Sequence, residues 1–150
     1  MKKIIYLFAI VMIAFSCKNV AEDPLEEEIA SFDQLTEQTM EVHDEVMPEM
    51  GRLMDLSIEI DSKMEDAALS DAQVEQLFDA QVELDEAHDA MMDWMKDYSE
   101  KFPYEAETPS TVEELENQLP MIKSSLESIK KVQSDTQAAI KNAEELLANS

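Results

Sequence analysis

Two histidines and a cluster of methionines are the residues of this chain best suited to chemistry. His43 and His88 are the only histidines, each is followed by an aspartate, and each has a methionine four residues on, Met47 and Met92. Imidazole and thioether are ligands suited to Cu(I), and a spacing of four places both on one helical face. Two such pairs on adjacent antiparallel helices would offer two nitrogens and two sulfurs to Cu(I) or Ag(I), with Met50, Met91 and Met121 as reserve ligands. The competing reading is structural. Methionine fills irregular core gaps, here around kinks at Pro48 and Pro120, while Asp44, Asp89 or Asp93 hold the histidines. Trp94 reads as a core anchor in the same stretch, and Gly51, the only glycine, loosens the turn after Pro48.

Other chemistries find less. Haem ligation by His and Met lacks any Cys-x-x-Cys-His attachment motif, and the many carboxylates form no calcium loop with an internal glycine. Without a nucleophile elbow, phosphate loop or open metal triad, the sequence is read as non-enzymatic.

The elements that must position these residues are helical. One glycine and five prolines in 150 residues leave little turn chemistry for strands, and the remainder is rich in good helix formers. The formal net charge of -24 makes nucleic acid and anionic lipid headgroups poor partners, and points to cations or basic proteins if the surface binds anything. A single cysteine excludes an internal disulfide.

That cysteine ends a recognisable segment. Residues 1–16 open with Lys2 and Lys3, continue with an apolar run too short to remain as a membrane span, and lead into Cys17 as a bacterial lipoprotein signal would. Cleavage before Cys17 and its acylation would anchor the chain, because each buried methylene contributes ~0.8 kcal/mol. Residues 17–23 then form the lipidated cysteine and a polar tether. Lys18 after the cysteine points to the outer membrane.

Residues 24–150 read as an all-α bundle domain. A first helix starts at Asp23-Pro24 and carries an apolar line through Leu25, Ile29, Phe32, Leu35, Thr39, Val42, Val46, Met50 and Leu53, continued by Ile60 and Met64, with Pro48 inside it. Met40, His43, Met47, Met50 and Met54 form a further line expected to widen that inner face. A second is announced by Ser70 and Gln73 as a capping box and by Leu69 and Val74 as a hydrophobic staple. Its predicted inner face includes Leu77, Phe78, Leu84, His88, Met91, Met92 and Tyr98, and it should end near Phe102-Pro103. The third, capped by Ser110 or Thr111, repeats apolar residues from Leu115 to Leu147, with Pro120 near its start and the polar pair Gln133 and Thr136 within its inner line. Short connections between long helices predict an up-down-up three-helix bundle or coiled coil, preceded by an N-terminal signal helix. Folding about the two connections sets His88 level with Met47 and Pro48, His43 near Asp93 and Trp94, and Pro120 and Met121 beside Met91 and Met92.

The runs His43-Asp44-Glu45-Val46-Met47-Pro48-x-Met50-Gly51 and Met91-Met92-Asp93-Trp94-Met95 resemble a group of small acidic lipoproteins of Bacteroidetes, often labelled "viral A-type inclusion protein". The resemblance covers the lipobox and the mature helical region. It implies an envelope location and a helical fold, and no activity. The expected function is therefore that of a lipid-anchored, acidic envelope protein serving as an interaction or structural module, with the bilayer and an unidentified envelope protein or a second copy as partners. The alternative is a Cu(I)- or Ag(I)-binding lipoprotein using His43, Met47, His88 and Met92.

Overall fold

The computed structural model describes residues 24–66, 68–105 and 107–149. The expected signal segment, Cys17 and the tether, including the Asp23 cap, lie outside the described residues. Four α-helices follow in order: α1 (Pro24–Val46), α2 (Glu49–Met64), α3 (Asp71–Lys101) and α4 (Val112–Asn149). The molecule is an all-helical bundle. None of the described helices is long and apolar enough to cross a membrane.

The first arm of the bundle corrects the expectation of one helix through Pro48. α1 stops at Val46, a turn occupies Met47 and Pro48, and α2 begins at Glu49. Proline has no N–H to donate and its ring crowds the carbonyl four residues back, so the backbone bond at that position is lost, and here the helix is interrupted. The Met47 N–H still bonds the His43 carbonyl at 2.9 Å, and the Met50 N–H reaches only as far as Met47, at 3.3 Å. Pro48 keeps helical dihedrals (φ -61°, ψ -26°), so α2 carries the arm onward without a sharp loop. Pro120 behaves differently. It lies inside α4, which continues through it, although Pro120 is exposed as Pro48 is.

Side-chain caps fix two helix starts where the sequence signals them. The Ser70 hydroxyl accepts from the Gln73 N–H while the Gln73 side chain accepts from the Ser70 N–H at 3.0 Å, an arrangement worth about 1 kcal/mol. At α4 the Thr111 hydroxyl accepts from the Glu114 N–H, and the Glu114 carboxylate accepts from the N–H groups of Ser110 and Thr111. These two N–H groups hold the Glu114 carboxyl below its ordinary value, with the Ser110 bond the larger cause.

Cross-links between arms give the topology. Gln81 on α3 donates to the Ser57 carbonyl and to Asp61 on α2, and Trp94 further along α3 meets His43 on α1, so α3 runs back against the first arm. Gln133 bonds Glu45 and Arg52 bonds Glu144, so α4 runs parallel to α1 and α2. α4 packs along all three other helices.

The core that results is a large, mostly aliphatic cluster and a smaller one, bridged by the half-buried Leu35 and Tyr98. Leu53, Leu56, Ile60, Leu77, Leu84, Met91 and Ile129 are at most 1% exposed, and Phe32, Leu115 and Ile122 close the end of the bundle where α4 begins. On α3 the buried line is Leu77, Ala80, Leu84, Ala87, Met91 and Trp94, the alternating three-and-four spacing of a core-facing stripe. Small alanines at two of its positions let neighbouring helices approach. This line corrects the expected inner face. Phe78 is 56% exposed and Met92 37% exposed, because both lie about 100° or more around the helix from the line that the alanines help to define.

Candidate functional site

His43, the residue that first suggested a site, is held by packing. Trp94 and Tyr98 on α3 and Phe102 at its C-cap follow at intervals of four, which brings their rings to one side of the helix. Tyr98 lies 5.0 Å from Trp94 with planes 25° apart, and 5.0 Å from Phe102 at 44°. α1 contributes a ring at each end. Phe32 sits 6.3 Å from Phe102, and His43 stacks on Trp94 at 5.6 Å and 30°. Five rings thus form a ladder between α1 and α3, and such pairs are worth about 0.5–1.5 kcal/mol each beyond their buried area. Burial pushes the Tyr98 phenol above its ordinary value of 10.0.

The ladder is tied to the third arm by one hydrogen bond. The Trp94 Nε1–H donates to the Ser125 carbonyl on α4 at 3.1 Å, inside the core. That bond also fixes the register of α3 on α4. Folding about the middle of the connection would set Trp94 level with Gln118, so the observed pairing is displaced by roughly two turns. Pro120 and Met121 then lie nearer Ser99 and Tyr98 than the expected Met91 and Met92. The displacement arises in the 102–111 connection, where Pro109 is buried rather than spread as an open loop. A cleft of about 490 Å³ remains under this connection, lined in part by Phe32, Met40, Tyr98, Phe102 and Pro103.

Each histidine faces its own neighbouring aspartate. His43 Nδ1 lies 2.9 Å from Asp44 Oδ1, with the imidazole 17% exposed. His88 Nδ1 lies 3.6 Å from Asp89 Oδ1, too long for a hydrogen bond, and its side chain is 33% exposed. Since His43 is level with Trp94, His88 stands six residues away along α3, about 9 Å along the axis. The methionines divide between two environments. Met50 and Met91 are in the core, whereas Met47 and Met92 are each 37% exposed and Met121 is half-buried. Met54, expected with Met47 on the inner face of the first arm, is 56% exposed, so that face is narrower than expected. Among the described residues no three His, Cys, Asp or Glu side chains converge as a metal cage. Gly51 is an exposed position of α2, with nothing within 4 Å of where a Cβ would stand.

Sequence reasoning placed His43 beside Trp94 and missed the rest of the ladder. The signal was present in the four-residue spacing of Trp94, Tyr98 and Phe102. Thr136 falls on the expected inner line of α4, while Ser125 was missed. Both hydroxyls, Ser125 Oγ and Thr136 Oγ1, are buried without a hydrogen-bond partner, whereas Thr39 satisfies its own by donating to the Leu35 carbonyl at 2.7 Å. No protein-family model, curated protein or solved structure matches this chain.

Proposed function

We propose that this chain is an acidic helical interaction module, held at a bacterial envelope through acylated Cys17 and acting through its surface rather than by catalysis. The bundle is an up-down-up arrangement of three long arms whose interior is devoted to packing. One observation carries the reading: His43 and Trp94, the residues best able to build a site, are spent on each other and on Ser125. What remains available is an acidic exterior with a net charge of -24 and a set of exposed apolar side chains. A module of this kind binds a macromolecule by area and charge, and the acyl chains keep it at the membrane where its partner would be found.

The anchor is tested by growing a bacterial host with an alkyne fatty acid. The chain should carry the label and sediment with membranes, and Cys17→Ser should lose both. Label retained by Cys17→Ser would remove the anchor from the account.

The Cu(I) reading is kept second by the exposure of Met47 and Met92, which leaves both thioethers reachable from solvent. Competition against a chromogenic Cu(I) chelator decides it. Stoichiometric binding abolished by His43→Ala/His88→Ala would establish the metal site. Weak binding unchanged by that pair would end it.

A further inference from the structure

Eight large hydrophobic side chains are exposed among the described residues, and six of them gather on one seam. Met47, Met54 and Ile58 belong to the first arm, and Phe78, Val82 and Met92 to α3; Tyr104 and Val112 lie elsewhere. The bonds from Gln81 to Ser57 and Asp61 fix the register between α2 and α3. On that register Ile58 comes within a turn of Phe78, Met54 within a turn of Val82, and Met47 within a turn of Met92. The seam is about 20 Å long at ~1.5 Å per residue, the length of nearly four helical turns. Scattered exposed apolar residues are ordinary, but a continuous line of them marks a contact surface.

The α2 side of the seam has helical spacing. Met47, Gly51, Met54 and Ile58 follow at intervals of four, three and four, so the glycine leaves a notch between flexible methionines in the middle of the stripe. Nothing occupies the space where a Cβ at Gly51 would stand. Methionine-rich stripes adapt to apolar side chains of differing shape, and a helix docks into such a groove by its own three-and-four stripe.

Charge identifies the occupant. From Glu49 to Asp93 the chain has fourteen acidic residues and two basic ones, Arg52 and Lys63. Asp55 and Asp61 flank the seam on α2, and Asp85 and Asp89 on α3. Arg52 is turned to Glu144 on α4, where its guanidinium bonds at 2.9 Å. A second copy would bring two such acidic rims together at a net charge of -24 each, which opposes pairing through this face. We infer that the α2/α3 seam is a docking groove for a basic amphipathic α-helix of a partner protein, apolar residues on the seam and lysines or arginines on the acidic rim. This deepens the interaction-module reading and rests on it.

The test uses the full-length chain in nanodiscs of zwitterionic lipid, with a benzophenone side chain at position 78, 58 or, as control, 127 on the outer side of α4. The probe is a labelled Leu/Lys peptide of roughly five helical turns, with leucines on one face. A peptide of the same composition in shuffled order carries the same charge without the apolar face. Adduct yield at positions 58 and 78 should exceed that at 127 by roughly tenfold with the amphipathic peptide, and by little with the shuffled one. Asp85→Asn/Asp89→Asn should lower the yield at position 78, and added salt should do the same. Equal yield at all three positions, equal yield with both peptides, or adducts between two copies of the chain would each overturn the assignment. Crosslinks in cells from some other face, with the seam silent, would sink this groove and leave the interaction module standing.

Discussion

The imidazole of His43 on α1 stacks on the indole of Trp94 on α3, ring centroids 5.6 Å apart and planes 30° from parallel. The indole in turn donates to the Ser125 carbonyl on α4. One side chain therefore joins all three arms, and the stack gives His43 a purpose that needs no metal. Trp94→Ala should cost about 3–5 kcal/mol, as large-to-small core substitutions do. His43→Ala should cost about 1 kcal/mol and His43→Phe much less, since a ring is retained. A double-mutant cycle by urea denaturation checks the pair. Coupling near zero would show that the stack contributes nothing.

Two buried hydroxyls should be a liability. Ser125 Oγ and Thr136 Oγ1 have lost water and gained no partner. Thr136→Val keeps the shape and removes the polar atom, and Ser125→Ala removes its counterpart. Each is expected to stabilise the bundle by about 1 kcal/mol. The change in urea midpoint, with the slope unchanged, is the readout.

Gly51 lies in α2 with open space around it and no positive φ. Alanine there should reduce the freedom of the unfolded chain and strengthen the helix, raising stability by about 0.5–1 kcal/mol. Thermal denaturation of Gly51→Ala checks this. A lowered midpoint would mean that the kink at Pro48 depends on the glycine.

The cap of α4 should titrate. Two backbone N–H groups hold the Glu114 carboxyl below its ordinary value of 4.5, which favours the charged form in the folded state. A depressed carboxyl contributes stability above its unfolded value and loses it as pH falls through the folded one. The difference in urea midpoint between the parent and Glu114→Gln should thus be present at about pH 7 and diminish as pH falls below the ordinary carboxyl range and through the lowered folded value. A difference independent of pH would assign the effect to geometry rather than charge.

Much of the fold was legible because local signals and tertiary packing agree. Ser70 with Gln73, and Thr111 with Glu114, are side-chain devices that need no knowledge of the rest of the chain. The line from Leu115 to Ala143 buries against whatever lies beside it. Elsewhere the outcome depended on partners. Pro48 divides the first arm while Pro120 stays inside α4, although both prolines are exposed and residue type alone does not separate them. The inner face of α3 was rotated in the reading from sequence because Ala80 and Ala87 are unremarkable as residues and decisive as close-approach positions. Phe78 and Met92 looked like core by type, and lie outside it by angle. The Trp94 to Ser125 bond set a register that loop length alone did not specify. His43 beside Trp94 could be read in advance because the α2 to α3 connection is short and nearly symmetric.

The proposed role is that of a surface-acting module at the envelope. Its most direct test is a photocrosslinking scan in living cells, with a benzophenone placed one position at a time on the outer faces of α1 to α4, in the parent chain and in Cys17→Ser. The account predicts adducts of one defined mass, strongest from positions 58 and 78, that disappear when Cys17→Ser releases the chain from the membrane. Adducts absent from every position, or unchanged in Cys17→Ser, would contradict it.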